Sequence, residues 1–331
     1  MDFADWRDII FDASIPFEVR CLKVYRHQAR HNRVLKTFFE VFGLKPESNP
    51  LPSEIPHLPV RAFREKTMIT DGFEPDLCFK SSGTGEANRS RHCVADPELY
   101  RLSIQKEFSG YFTFNEYSIL AYLPGYTDNP ESSLIWMVNE LIKSDKSRLS
   151  RFLPLNKPLT QKDIEPILKE DKKLLLFGAA FGLVDLLESD SVALPPGSAV
   201  IETGGMKTHR REIGKSRLRK MLSEGFEVPE TSIHSEYGMC ELLSQCYAIG
   251  NEWFQAPHWM NVSIRKAEDP SVVCEAGEEG KIAIIDLANV HSCAFILTED
   301  KGMMNMAGEF QVLGRWKNSD LRGCNFLVEK E

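Results

Sequence analysis

No run of about 18 apolar residues occurs in this 331-residue chain, so no membrane span is expected. The N-terminus, Met1-Asp2-Phe3-Ala4-Asp5-Trp6-Arg7, is acidic where a secretory signal is basic and then apolar. A basic excess is missing as well. The net charge of −8 argues against nucleic acid as a partner. None of the eight cysteines forms a Cys-x-x-Cys pair, which removes the usual zinc frame. A disulfide framework is not expected in a large cytoplasmic chain. Internal repeats and low-complexity tracts are absent. What remains is a cytoplasmic globular protein of ordinary polarity, long enough for one large core or two smaller ones.

Residues 17–43 carry apolar side chains at helical spacing, and Gly43 is a natural stop. His27 and His31 lie one turn apart there. With Arg26, Arg30 and Arg33 interleaved, they read as a solvated basic face rather than a metal pair. A Pro-rich connector follows, from Pro46 to Pro59. Strand-like runs at 76–80, 117–123, 173–178, 198–202 and 231–236 then alternate with helix-like runs at 97–110, 132–144, 160–170, 181–188 and 211–225. Such alternation predicts an α/β fold with a largely parallel sheet flanked by helices. After 240 the runs are short and β-rich, at 243–249, 258–265, 280–287, 293–298 and 309–315. Turn residues such as Glu278-Glu279-Gly280 and Lys301-Gly302 separate them. They predict a smaller antiparallel lobe. The expected division is an N-terminal helical segment and connector (1–60), an α/β core (61–240) and a β-rich lobe (241–331).

Two motifs about 150 residues apart stand out. Ser81-Ser82-Gly83-Thr84-Gly85 follows the strand-like Leu77-Cys78-Phe79-Lys80. A strand running into a Ser/Thr/Gly loop leaves backbone N–H groups and hydroxyls to point at an anion. Ser235-Glu236-Tyr237-Gly238-Met239-Cys240-Glu241 offers a ring to stack on a base and a carboxylate for Mg²⁺. Ligands of parallel sheets sit at the carboxyl ends of strands. Lys80-Ser81, Glu202-Thr203-Gly204-Gly205 and Glu236-Tyr237-Gly238 all lie at such ends.

The order of motifs resembles that of adenylate-forming enzymes. Ser81 to Gly85 is similar to their phosphate loop, and Glu202-Thr203-Gly204-Gly205-Met206-Lys207 to their adenine-facing segment. Tyr237-Gly238-Met239-Cys240-Glu241 is similar to Tyr-Gly-x-Thr-Glu. Thr298-Glu299-Asp300-Lys301-Gly302 is similar to the Thr-Gly-Asp motif, and Gly314-Arg315 through Asp320-Leu321-Arg322-Gly323 to the hinge region. The tail and the Thr-Gly-Gly-x-Lys segment most resemble the acyl-protein synthetase (LuxE) family, known from bacterial fatty acid reductase complexes. Three departures stand out. Gly85-Glu86 occupies the usual Thr-Gly place, which leaves the loop shifted or weakened. Cys240 replaces Thr. The chain stops eight residues after Gly323, so the mobile C-terminal domain with its catalytic lysine is expected to be lacking, and the acyl-protein synthetases that it resembles are similarly short.

The resemblance implies ATP and Mg²⁺ as cofactors and a carboxylic acid, of the fatty acid class, as substrate. An acyl reductase or acyltransferase is the implied partner protein. Ser81, Ser82, Gly83 and Thr84 would hold phosphates. Gly204, Gly205, Tyr237 and Gly238 would surround adenine, since residues without side chains let a backbone approach a base closely. Asp300 would accept the ribose hydroxyls, with Arg315 assisting, and Glu241 would bind the metal. Lys207, two residues past the glycine pair, would stabilise charge where carboxylate meets α-phosphate. Cys324 would be the acyl acceptor, its thiol acidified by Arg322. Each has a plainer reading. The loop could be a polar turn, the glycine pair a turn, Asp300 a surface turn, Arg315 an edge-strand residue and Cys324 a small apolar residue on a terminal strand. Phe108, Tyr111, Phe112, Phe114, Phe177 and Phe181 fit an acyl pocket or simply core. Two other functions stay open: a ligase acylating CoA or another soluble acceptor, and a nucleotide-binding subunit with degenerate catalysis.

Overall fold

In a computed structural model, described for residues 3–81, 89–123, 129–189, 192–204 and 213–316, the alternation of the sequence becomes two compact units. The chain opens with α1 (Phe3–Phe11), α2 (Phe17–His31), α3 (Arg33–Val41), β1 (Leu58–Pro59), α4 (Ala62–Glu65), β2 (Leu77–Lys80) and β3 (Arg91–Val94). It continues through α5 (Pro97–Ser109), β4 (Tyr117–Tyr122), α6 (Ser133–Ser144), β5 (Arg151–Phe152), α7 (Gln161–Lys169), β6 (Lys173–Ala179) and α8 (Ala180–Glu188). Then come β7 (Ala199–Thr203), α9 (Lys215–Phe226), β8 (Ile233–Tyr237), β9 (Cys246–Ala248), β10 (Met260–Arg265), β11 (Gly280–Asp286), β12 (Phe295–Met304) and β13 (Phe310–Arg315).

One unit comprises the described parts of Phe79–Thr84 and Pro97–Gln255. Its six-stranded sheet runs β5-β4-β6-β7-β8-β9. All neighbours are parallel except β8 and β9. Parallel strands are covered on both faces and therefore read as continuous apolar runs. Leu174 to Phe177 are fully buried, as are Val200 and Ile201. Leu120, Leu176, Leu183, Val200, Leu222 and Ile233 belong to one core cluster that packs helices on this sheet. The helices start where capping residues allow. Ser132 accepts the Ile135 N–H ahead of α6, and Thr160 with Asp163 forms a capping box for α7.

The other unit comprises the described parts of Met1–Cys78, Gly85–Asp96 and Ala256–Glu331. Its sheet runs β1-β12-β11-β10, with β13 also on β12. The β10 to β13 pairs are antiparallel, as expected for the later segment, and β1 adds in parallel. Both units draw on separated stretches of chain, so a sequential division at 60 and 240 follows pattern changes rather than these compact bodies.

Local differences from the sequence reading have physical causes. The helix expected over 17–43 is two helices, because the Asn32 side chain accepts the Leu35 N–H and starts α3 anew. His27 is not on a solvated face. Its ring lies 5.0 Å from Trp6 and 5.5 Å from His291, and burial, with His291 and His31 nearby, lowers its pKa to about 4. The run at 243–249 does not join the antiparallel lobe. It supplies β9, an edge strand beside β8. Lys301-Gly302 is no turn but lies within β12. A side chain at Gly302 would come within 2.7 Å of the Gln311 carbonyl, so glycine is needed for close strand approach. Cys78 and Cys93 are disulfide-bonded, contrary to the expectation of free thiols. Pairing of β2 with β3 brings their Cα atoms to 4.1 Å. Cys21, Cys246 and Cys293 are buried thiols outside any disulfide, as core thiols are. No helix among the described residues is long and apolar enough to cross a membrane.

Candidate functional site

The carboxyl ends of β7 and β8 lie side by side, in the register Glu202 with Ser235 and Thr203 with Glu236. Both strands are buried along their whole length, and each is followed by a glycine. Gly204 has φ +75°, a conformation that disfavours side chains, and open space where a Cβ would stand. Gly238 is different. A Cβ there would lie 2.6 Å from Glu236 Oε1 and 3.6 Å from Gln245 Cγ, so close packing excludes a side chain. The structure thus brings Gly204, Tyr237 and Gly238 to neighbouring strand ends.

Tyr237 is buried, with its ring 5.9 Å from Phe254. Lys215, the first residue of α9, places its ammonium 4.4 Å from the Phe254 ring centre. Glu241 is buried in the turn after β8, where the Leu242 N–H donates to the Met239 carbonyl at 3.0 Å. Ser81 directly follows β2 and is half-buried. The preceding Lys80 is fixed by Glu131 through an N–H to carbonyl bond of 2.9 Å and an ion pair of 2.8 Å. Ser82, Gly83, Thr84, Gly205, Lys207 and Cys324 lie outside the described residues. Among the proposed acyl-pocket aromatics, Phe108, Phe112 and Phe177 are buried and Phe181 is exposed.

Sequence reasoning passed over the acidic residues that end these strands. Glu202 and Glu236 are both about as buried as their apolar neighbours. Alternation along a strand puts them on opposite faces of the sheet. Burial raises the Glu202 pKa, opposed by Lys215, a Ser235 hydrogen bond and Arg219. Burial likewise raises Glu236 to about 7; the Thr203 hydrogen bond opposes this and Glu202 adds to it. The Thr203 hydroxyl donates to Glu236 Oε2. The available signal was an acidic residue closing the apolar strand run Ala199-Val200-Ile201-Glu202; the mixed run Ile233-His234-Ser235-Glu236 carries no such signal.

In the other unit, Asp300 and Arg315 are cross-strand partners on β12 and β13, and Arg315 Nε donates to Asp300 Oδ1 at 3.0 Å. Asp300 is buried rather than on a surface turn, and its N–H donates to Thr298 Oγ1 at 3.1 Å. A carboxylate held this way keeps a fixed direction. Among the described residues no group of three or more His, Cys, Asp or Glu could hold a metal.

Solved structures with this fold are adenylate-forming enzymes. A 2-hydroxyisobutyryl-CoA ligase in complex with 2-HIB-AMP and CoA aligns over 90% of this chain and 69% of its own, with TM-score 0.66 and 11% identity. ATP-bound MatB from Rhodopseudomonas palustris aligns over 73% of this chain and 48% of its own, with TM-score 0.52 and 14% identity. The chain thus spans about two thirds of the first and about half of the second. At such identities the likeness concerns the fold. No curated protein sequence matches this one. The profile described as acyl-protein synthetase, LuxE, matches residues 146–331, more than half of the sequence. The chain belongs to the LuxE acyl-protein synthetase family.

Proposed function

We propose that this chain activates a carboxylic acid, of the fatty acid class, with ATP and passes the acyl group to Cys324. Family membership and the adenylate-forming fold support activation of an acid by ATP. The observation that carries the reading is the parallel register of β7 and β8, which sets Gly204 beside Tyr237-Gly238 at the ligand end of the sheet.

A substrate carboxylate oxygen attacks the α-phosphorus of ATP, and the bond to the β-phosphate breaks. The products are acyl-adenylate and pyrophosphate. The Cys324 thiolate, its proton lost to solvent, then attacks the acyl carbon; a thioester forms and AMP leaves. Ser81, Ser82, Gly83 and Thr84 hold the phosphates. Gly204, Gly205, Tyr237 and Gly238 border the adenine, and Asp300, fixed by Arg315, accepts the ribose hydroxyls. Lys207 meets the charge that grows at the α-phosphate. Mg²⁺, with Glu241 as its protein ligand, would neutralise phosphate charge. The site must also keep water from the labile anhydride.

The test is pyrophosphate exchange with ATP, Mg²⁺ and a panel of carboxylic acids, followed by intact mass. The expected result is acid-dependent exchange and a hydroxylamine-sensitive acyl adduct. Cys324→Ser should keep exchange and lose the adduct. An adduct that survives there but is lost in Cys240→Thr would move the acceptor to Cys240. Acylated CoA with unchanged protein mass would replace the protein acceptor by a soluble one. ATP binding without exchange would leave a degenerate nucleotide-binding subunit.

A further inference from the structure

At the ends of β7 and β8, one side chain touches both of the segments that the activation reading sets around the adenine. Glu236 is the second-to-last residue of β8. In register it faces Thr203, the last residue of β7, on one side and Tyr247 of β9 on the other. Register partners share a face, so Thr203, Glu236 and Tyr247 form a row across three strands. The Thr203 hydroxyl donates to Glu236 Oε2. Its other oxygen, Oε1, fills the space beside Gly238 where a Cβ would stand, at 2.6 Å. One carboxyl group therefore grips the residue before Gly204 with one oxygen and packs against Gly238 with the other.

We propose that Glu236 is a positioning residue for the nucleotide, a strut that fixes the spacing between the Thr203-Gly204 and Tyr237-Gly238 segments. This rests on the activation reading and adds a residue which that reading does not use. Distance and direction at these strand ends determine how a flat ring is held, and a shift of about 1 Å in such a frame lowers affinity and rate severely. A carboxyl buried to 5% exposure, with one hydroxyl donor shared between two strands, is costly to leave charged. On the same face Tyr247 of β9 lies beside it, while Glu202 of β7 is a second buried carboxyl on the opposite face of the sheet. The Thr203 hydroxyl donates to this carboxyl, so the grip depends on an acceptor oxygen at position 236.

Affinity for Mg·ATP by calorimetry, and separate KM values for ATP and acid in pyrophosphate exchange, test this. Glu236→Ala should raise the Kd and KM for ATP about tenfold, with a change of less than about twofold in the KM for acid. Glu236→Gln keeps an oxygen that accepts from Thr203 and should stay within about twofold of the wild type. A folded Glu236→Ala protein that binds ATP as the wild type does overturns the proposal, and so does a Glu236→Gln protein as weak as Glu236→Ala. If Glu236→Ala does not fold by circular dichroism, Thr203→Val decides: it removes the donor, should raise the Kd for ATP about threefold or more, and overturns the proposal if the Kd is unchanged. A wild-type chain that binds no ATP overturns the activation reading and this proposal together. ATP binding that these deletions leave unaltered overturns this assignment alone.

Discussion

The two ends of the six-stranded sheet bury carboxylates under opposite rules. At the amino end, Asp145 is nearly inaccessible. It accepts from Ser118 at 3.0 Å, from the Ser150 hydroxyl at 2.6 Å, from the Ser147 hydroxyl at 2.7 Å and from Lys172 at 2.9 Å. Burial pushes its pKa up, but these donors outweigh it and hold the group below the usual carboxylate range. At the carboxyl end, Glu202 and Glu236 are buried to a similar degree, yet both are pushed upward. Burial is common to both ends; the supply of donors is not. Asp145 locks the base of β4 and β6, whereas burial disfavours the charged form of the two acids at the carboxyl end. Perturbed carboxyls of the second kind gather at functional sites, although structural networks shift pKa values too.

The largest effect is expected at the locked end. Asp145→Ala removes the acceptor of several donors and leaves Lys172 with most of its side chain buried and its carboxylate partner gone. Breaking a buried pair from one side costs about 3–5 kcal/mol, and urea unfolding would read it. A loss below about 1 kcal/mol would mean that the two ends do not differ as described.

The pH dependence of stability separates the ends next. Glu236 has a folded pKa raised to about 7 from 4.5. Its contribution is fully present below the unfolded value and is lost as pH rises through the folded one. Between about pH 5 and 8 this group alone should lower stability by about 2–3 kcal/mol, a slope that Glu236→Gln removes. Asp145 has a lowered folded pKa, so its contribution is present above the unfolded value of 3.8 and is lost only as pH falls below it. The two groups thus act in separate windows. Denaturant midpoints measured at several pH values would show a decline toward pH 8 in the wild type and a flatter profile in the glutamine variant.

Much of this contrast was hidden in the sequence. The strand runs over 173–178 and 198–202 were legible because parallel strands are apolar throughout, and their carboxyl ends followed from that. Gly204 and Tyr237-Gly238 could be placed at strand ends because glycine and motif order mark turns. Which glycine answers to backbone conformation and which to crowding could not be read, since Gly238 depends on the oxygen of Glu236. The Asp145 network gathers residues from 118 to 172, and no local pattern reveals such a meeting. The same limit hid the Cys78–Cys93 bond, which needs the pairing of two strands separated in sequence. The break at Asn32 was missed because the apolar period continues across it, while the cap that divides the helices is a single side chain.

A third prediction joins Gly238 to Glu236. Gly238→Ala puts a methyl group 2.6 Å from Glu236 Oε1, and the carboxyl cannot simply turn away because Thr203 holds its other oxygen. The cost should be about 1–2 kcal/mol by denaturation. In a Glu236→Ala background the methyl group has room, so the double variant should be less destabilised than the sum of the singles by about 1 kcal/mol. Strict additivity would show that the contact does not decide why glycine stands there.

The smallest effect expected is a gain. Glu202 lies on the face of the sheet opposite Glu236, bonded to Ser235 and attracted by Lys215 and Arg219. Burial nevertheless wins and raises its pKa, so the charged form is less favourable in the folded protein than in water. Glu202→Gln keeps the shape and can still hydrogen-bond Ser235, but it carries no charge. Above the folded pKa it should stabilise the protein by about 1 kcal/mol, and below the unfolded pKa it should change little. The gain should be smaller in a Glu236→Gln background, because part of the penalty is repulsion between the two acids. Thermal unfolding at about pH 5 and pH 8 would measure both comparisons. A loss of stability at the higher pH would show that Lys215 and Arg219 outweigh burial. The ligand end would then resemble Asp145 more closely than its raised carboxyls indicate.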